Sequence, residues 1–354
     1  MPEFDKDLLS IQEARDLSTK AFEAWKIWSH ASQEQVDRVC AAMSAAALSA
    51  AERLGTMAHE ETGYGYSEHK KLKNEFAARN VWESIKDEKT VGVIHHDPVK
   101  RIYDIAWPVG VIAGLTPSTN PTSTVIYKIM IAVKARDAII IAPHPSAAKC
   151  SYEAAKIMAQ AAEANGAPPG LIACMQNISL QGTQELMRHK YVALILATGG
   201  TPMVKSAHST GKPAYGVGPG NVPVYVDRSA DIEKAAKYIV ASKSFDCSTI
   251  CASEQAVVAD KPIADRLAQL MQQEGAYFTN EHETNLLRNL LFHPDGSMNT
   301  IAVGKPAAYV AALAGFDVPQ GTRVLVTRLK KTGKDEPLSR EKLTTTLAWY
   351  EEDG

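Results

Sequence analysis

Residues 111–124 read Val-Ile-Ala-Gly-Leu-Thr-Pro-Ser-Thr-Asn-Pro-Thr-Ser-Thr, and the next dozen residues run Val-Ile-Tyr-Lys-Ile-Met-Ile-Ala-Val-Lys-Ala-Arg. The apolar run 111–115 predicts a short buried strand, and 122–136 has helical composition. Between them lies a loop crowded with hydroxyl and amide side chains. A strand feeding a helix through such a loop opens a βαβ unit, and in open α/β sheets ligands gather at the carboxyl ends of the strands. Helix capping and turn formation explain some of these Ser, Thr, Asn and Pro residues. They hardly explain all nine polar or turn-forming positions that follow Leu115 in succession.

Working outward, the same alternation continues. Short apolar strands are predicted at 138–142, 171–175 and 192–197, separated by helix-length segments; the segment 146–165 is expected to be a helix with Ser146 as its N-cap and Gly166 at its stop. Strand, helix, strand repetition implies right-handed crossovers and a parallel sheet. A second α/β run follows the glycine cluster Gly216, Gly218, Gly220: strand 222–226, helix 231–242, strand 255–258 and helix 263–274. The final segment, 319–354, holds a strand at 323–327, a polar loop at 330–336 and an apolar piece at 343–350. Upstream, residues 10–86 lack proline and space apolar residues such as Val36, Val39, Cys40 and Met43 helically, predicting two or three helices. Residues 91–107 alternate around Asp97-Pro98 as a β-hairpin does, offering an edge for pairing with another subunit.

Composition narrows the function classes. With 354 residues the chain is long enough for two domains, and 45% hydrophobic with 22% charged residues is ordinary for a globular protein. Thirty-eight basic against 40 acidic residues give a net charge of −2, with no basic footprint for nucleic acid or an anionic membrane. The longest apolar runs are far shorter than the roughly 20 residues a spanning helix needs. The first ten residues carry Glu3, Asp5, Lys6 and Asp7 rather than a secretory signal, so a cytoplasmic location is expected. Five cysteines, an odd and scattered set, suggest free thiols in a reducing compartment.

One of those thiols stands out. Residues 244–255 read Ser-Phe-Asp-Cys-Ser-Thr-Ile-Cys-Ala-Ser-Glu-Gln, which sets Cys251 among small and hydroxyl residues between a helix and a strand, where a thiolate can face a cleft. On composition alone a buried core cysteine is the more common outcome. Cys247, four residues earlier, raises metal binding, but zinc needs three or four ligands and no further His or Cys is near, so no metal is expected. Residues 197–201, Ala-Thr-Gly-Gly-Thr, again join a strand end to a helix start, where glycines let a phosphate approach backbone N–H groups. Residues 216–223, Gly-Val-Gly-Pro-Gly-Asn-Val-Pro, read equally well as a rigid crossing between domains.

Taken in order, Thr116-Pro-Ser-Thr-Asn-Pro-Thr-Ser-Thr, Ala142-Pro-His-Pro, Leu196-Ala-Thr-Gly-Gly, Gly216-Val-Gly-Pro-Gly-Asn-Val-Pro, Phe245-Asp with Ile250-Cys-Ala-Ser-Glu-Gln, and Glu341-Lys-Leu form a series. Across nearly its whole length the chain resembles the CoA-acylating branch of the aldehyde dehydrogenase superfamily, which includes the aldehyde half of bifunctional aldehyde-alcohol dehydrogenases and enzymes of bacterial microcompartments.

The resemblance implies an α/β aldehyde dehydrogenase fold. Residues 1–221 would form a Rossmann-like cofactor domain, with the hairpin 91–107 as an oligomerisation element, and 222–354 a catalytic domain. It implies Cys251 as the nucleophile, attacking an aldehyde carbonyl, with the oxyanion held by the Asn120 amide and a backbone N–H near Cys251. The resulting thioester would pass its acyl group to coenzyme A. Leu115, Thr116, Pro117, Ser118, Thr119, Asn120, Gly200, Gly218 and Glu341 would surround the dinucleotide, Glu341 binding a ribose. Hydrolytic relatives carry a glutamate base where this chain has Val217, so transfer to a thiol is expected to outrun hydrolysis. His144 and Ala147 stand where such relatives often have Lys and Glu near the adenine ribose; NAD is expected, with NADP left open. A short aldehyde such as acetaldehyde or propionaldehyde is the expected substrate, sulfoacetaldehyde or succinate semialdehyde the alternatives, and a homo-oligomer, free or in a microcompartment, the expected assembly.

Two departures accompany the resemblance. The family usually has Asn-Gly after Phe-Asp, whereas Cys247-Ser248 follow here. Family members also continue well past the Glu341-Lys-Leu motif, so the catalytic domain is expected to be incomplete at its C-terminal side, and a truncated, non-catalytic binding subunit is the rival reading.

Overall fold

The computed structural model describes residues 5–353. The chain divides into two compact units: one made of the residues up to Thr62 together with Ser67–Gly218, the other of Gly63–Tyr66 and the chain from Pro219 onward. The division falls after Gly218, three residues before the expected end of the first domain at Asn221. The return of Gly63–Tyr66 to the second unit has no counterpart in the sequence reading.

The first unit begins with helices α1 (Lys6–Trp28), α2 (Gln33–Ser49), α3 (Ala51–Thr62), α4 (Ser67–Glu75) and α5 (Val81–Ile85). The hairpin strands β1 (Gly92–Asp97) and β2 (Ile102–Ala106) pair antiparallel, with Gly92 opposite Ala106 and Asp97 opposite Ile102. They are followed by β3 (Val111–Thr116), α6 (Pro121–Lys134), β4 (Ala138–Pro143), α7 (Ala148–Ala164), β5 (Ile172–Cys174), α8 (Leu180–Arg188), β6 (Val192–Thr198), α9 (Thr201–His208) and β7 (Ala214–Val217). These five later strands form one parallel sheet in the order β5-β4-β3-β6-β7. β3 and β4 are buried at every position, which is why they read as unbroken apolar runs. The order reverses direction between β3 and β6, so the ends of these two strands mark the switch point where a crevice opens.

The second unit holds β8 (Pro223–Val226), α10 (Ile232–Ser244), β9 (Ala256–Asp260), α11 (Lys261–Gln273), β10 (Ala276–Phe278), α12 (Glu281–Leu291), α13 (Ala307–Ala314), β11 (Val324–Arg328) and β12 (Thr346–Glu352). Its sheet, also parallel, runs β10-β11-β12-β9-β8. The apolar piece expected at 343–350 is therefore a central strand, with Trp349 and Leu347 in the core. Among the described residues no helix is long and apolar enough to cross a membrane.

Two local expectations are corrected. Residues 10–86 hold five helices rather than two or three, because breaks near residues 30, 50 and 63–66 divide the periodic pattern. Ser146 does not cap α7: a single 3₁₀ turn, Pro145–Ala147, precedes the helix, and the His144 side chain accepts from Ser146 N. The first amides of α7 are instead satisfied from α3, whose Glu61 carboxylate accepts from Lys149 N at 2.9 Å and Cys150 N at 2.7 Å. A carboxylate there satisfies two orphan donors and complements the helix dipole, which a serine hydroxyl could do only in part. Glu61→Ala is expected to cost about 1–2 kcal/mol, read as a lowered melting temperature, whereas Ser146→Ala leaves it nearly unchanged.

Candidate active site

In the first unit Leu115, Thr116, Pro117, Ser118, Thr119 and Asn120 stand at the carboxyl end of β3, but the expected loop is shorter than its sequence suggested: Leu115 and Thr116 close the strand, residues 117–120 form the loop, and residues 121–124 are already the first turn of α6. The loop's position is fixed from below by Lys128 of α6, whose ammonium donates to Leu115 O and Leu196 O at 2.7 Å each. Lys128 is fully buried. Burial pushes its pKa down to about 7, while two carbonyl acceptors at 2.7 Å favour the protonated form; the contact geometry decides for a lysine that still donates. A charge among Val125, Ile126, Ile129 and Met130 was the available signal for this role.

Asn120 occupies the N-cap position of α6 without capping it. Its Oδ1 accepts from Lys73 Nζ at 2.6 Å, and Lys70 Nζ donates to Thr119 O at 3.2 Å. Because lysine only donates, the atom facing Lys73 is the oxygen, which orients Nδ2 as the donor end of the amide; Nδ2 lies 3.3 Å from Thr119 Oγ1. Both lysines come from α4, nearly fifty residues upstream, and nothing in the local sequence announces them. Thr116 Oγ1 is buried without a protein partner. At the other strand of the switch point, Gly199 and Gly200 follow β6, and Gly200 is the N-cap of α9 with no side chain in the way. An orphaned hydroxyl and a bare helix start at the switch point fit a dinucleotide. Gly218 ends this unit.

The second unit carries Cys251 and Glu341. Cys251 is exposed, whereas Cys40, Cys150, Cys174 and Cys247 are buried. Glu341 accepts from Gly220 N–H, and its burial raises its pKa against the opposing pull of that hydrogen bond and of Lys243 and Lys342. The Cys251 and Glu341 segments are tied through Gln255: Lys243 Nζ donates to Gln255 Oε1 at 3.1 Å, Lys342 N to the same oxygen at 3.2 Å, and Lys342 Nζ to Gln255 O at 3.0 Å. Both lysines are completely buried.

The stretch before Cys251 has unusual backbone. Asp246, Cys247 and Ser248 all have positive φ, 47°, 50° and 62°. Left-handed backbone costs roughly 1–2 kcal/mol at a residue other than glycine, with Asn and Asp the better tolerated. The turn is held by the Asp246 carboxylate, which accepts from Tyr66 N at 2.8 Å and from Thr249 Oγ1 at 2.7 Å. Gly65 makes room: a Cβ there, itself at φ +62°, would lie 1.8 Å from Asp246 Oδ1. The departure from the family's Asn-Gly falls on the two residues for which left-handed backbone is least comfortable.

The aldehyde dehydrogenase family profile matches residues 7–284. The chain belongs to this family. It is 48% identical over 313 residues to the aldehyde-alcohol dehydrogenase of Streptococcus pneumoniae, covering 86% of this chain and 35% of the relative. The chain spans little more than a third of the length of the aldehyde-alcohol dehydrogenases it matches. Among solved structures, an acetylating aldehyde dehydrogenase from Geobacillus thermoglucosidasius shares 50% identity at a TM-score of 0.96, over 99% of this chain and 78% of the other. A propionaldehyde dehydrogenase of Rhodopseudomonas palustris, solved with bound CoA and an acylated cysteine, shares 29% identity at a TM-score of 0.83, over 96% of this chain and 77% of that one.

Reactivity should separate the thiols. Burial pushes Cys40 up to about 12 and moves Cys150 and Cys174 upward as well, so their thiolate fractions at neutral pH are negligible. Iodoacetamide at pH 7.5 is expected to label Cys251 first, with peptide mass spectrometry showing the four buried thiols untouched until the chain is unfolded.

Proposed function

We propose that the chain catalyses aldehyde + CoA + NAD⁺ → acyl-CoA + NADH, with a short aldehyde such as acetaldehyde or propionaldehyde. The reading is carried by Cys251, the exposed cysteine of the set, in the motif and family context where a nucleophile is expected. The Cys251 thiolate adds to the aldehyde carbonyl, and the oxyanion formed is stabilised by the Asn120 amide, whose donor end is set by Lys73. Bound nicotinamide supplies the hydride acceptor that oxidises the hemithioacetal. Leu115, Thr116, Pro117, Ser118 and Thr119, with Gly200 and Gly218, would hold the dinucleotide, and Glu341 its ribose. Cys251 then carries the acyl group as a thioester until the CoA thiol takes it and restores the cysteine.

The choice of CoA over water follows from the residue at 217. Val217 has neither proton acceptor nor donor, so water at the thioester finds no general base there, whereas a thiol is the better nucleophile at neutral pH. Self-association is assigned to the hairpin β1–β2, whose Val93, Ile94, Ile102, Tyr103 and Ile105 are exposed beside Trp107.

NADH formation at 340 nm with propionaldehyde, NAD⁺ and CoA tests the proposal. The expected outcome is CoA-dependent turnover that Cys251→Ala abolishes and Asn120→Ala lowers by about 10²–10³ in kcat. Equal turnover without CoA would reassign the enzyme to hydrolysis and remove the argument from Val217.

A further inference from the structure

The left-handed turn before Cys251 is not explained by the chemistry of the thiol. Three successive residues other than glycine adopt it, and two of them, Cys247 and Ser248, gain nothing intrinsic from doing so. All three side chains are buried, so the turn cannot relax into solvent. Such backbone persists only where its surroundings over-determine it. The surroundings here are specific: the Asp246 carboxylate is gripped on one oxygen by Tyr66 N–H at 2.8 Å and on the other by the Thr249 hydroxyl at 2.7 Å. That hydroxyl also lies 2.9 Å from Asp246 O, and the Ser248 and Ser253 hydroxyls are 3.0 Å apart across the loop that contains Cys251. The Tyr66 amide reaches the carboxylate because Gly65 carries no side chain.

We propose that Asp246 is the positioning residue of the nucleophile: its carboxylate, clamped between Tyr66 N–H and Thr249 Oγ1, holds the turn 246–248 left-handed and thereby presents Cys251 at the surface. The inference rests on the reading of Cys251 as the nucleophile. Asp246 touches no reacting atom and acts only through the backbone it fixes. Asparagine can keep the clamp, offering Oδ1 to Tyr66 N–H and its amide to the Thr249 oxygen, and it also tolerates left-handed backbone. Alanine keeps neither grip. Replacing Cys247 and Ser248 by Asn and Gly gives a sequence that adopts the turn unaided, and the clamp is then dispensable.

The test is the rate of Cys251 alkylation by iodoacetamide, read by peptide mass spectrometry relative to the unsubstituted chain, with a melting curve for each variant. Asp246→Ala is expected to slow labelling by about tenfold or more, Asp246→Asn to leave it nearly unchanged, and Thr249→Val, which removes one grip, to fall between. Adding Cys247→Asn and Ser248→Gly to Asp246→Ala should restore the rate, a rescue that a general loss of stability would not produce. Undiminished labelling of Asp246→Ala, equal losses in the Asn and Ala variants, or failure of that rescue would each overturn the proposal. If Asp246→Ala does not fold, Thr249→Val decides, and an unchanged rate overturns it. The labelling ratio reads the presentation of Cys251 whether or not the chain turns over aldehyde, so absent CoA-dependent NADH beside a slowed Asp246→Ala would remove the function and leave the positioning intact.

Discussion

A single buried ammonium governs the first unit. Lys128 sits between the carbonyl ends of two parallel strands that are about eighty residues apart in the chain, and its hydrogen bonds to Leu115 O and Leu196 O hold them level at the point where the strand order reverses. Everything expected of this unit chemically leaves from those two ends: the loop to Asn120 from one, the glycines before α9 from the other. Losing the ammonium would strand two buried carbonyls, each a cost of about 1–3 kcal/mol, at the place where geometry matters most.

Much of this arrangement can be read from the residues themselves. β3, β4 and β6 are legible because strands buried in a parallel sheet become continuous apolar runs, and α10 and α11 because their apolar residues keep helical spacing. β7 and β10, at four and three residues, are too short to carry a pattern. α8 is capped by Ser179, whose side chain accepts from Gly182 N, but its nine residues put no long periodic run behind the cap. Cys251 and the loop to Asn120 are visible as motifs. Their supports are not, because Lys70, Lys73, Glu61 and Tyr66 arrive from helices and turns far away in sequence, and only folding brings them to the atoms they serve.

The same division between actors and supports runs through both units. Lys73 decides which end of the Asn120 amide donates, and Asp246 decides the backbone path into Cys251. Neither residue has to react. Oxyanion stabilisation and thiolate attack are both sensitive to displacements well under the length of a bond, so a site of this kind is as good as the contacts behind it. Gln255 does similar service, binding the segment of Glu341 to that of Cys251 through two lysines that never reach solvent.

The place of β12 in the second sheet has a consequence for how the chain is made. Thr346–Glu352 lies between β11 and β9, so neither neighbour completes its hydrogen-bond ladder until this strand emerges from the ribosome. At translation rates of several residues per second, the edge of β9 waits on the order of ten seconds for its partner. During that interval the nascent chain presents the apolar, unpaired edge of β9, joined near its end by that of β11, and chaperone capture or misassembly between neighbouring chains competes with folding.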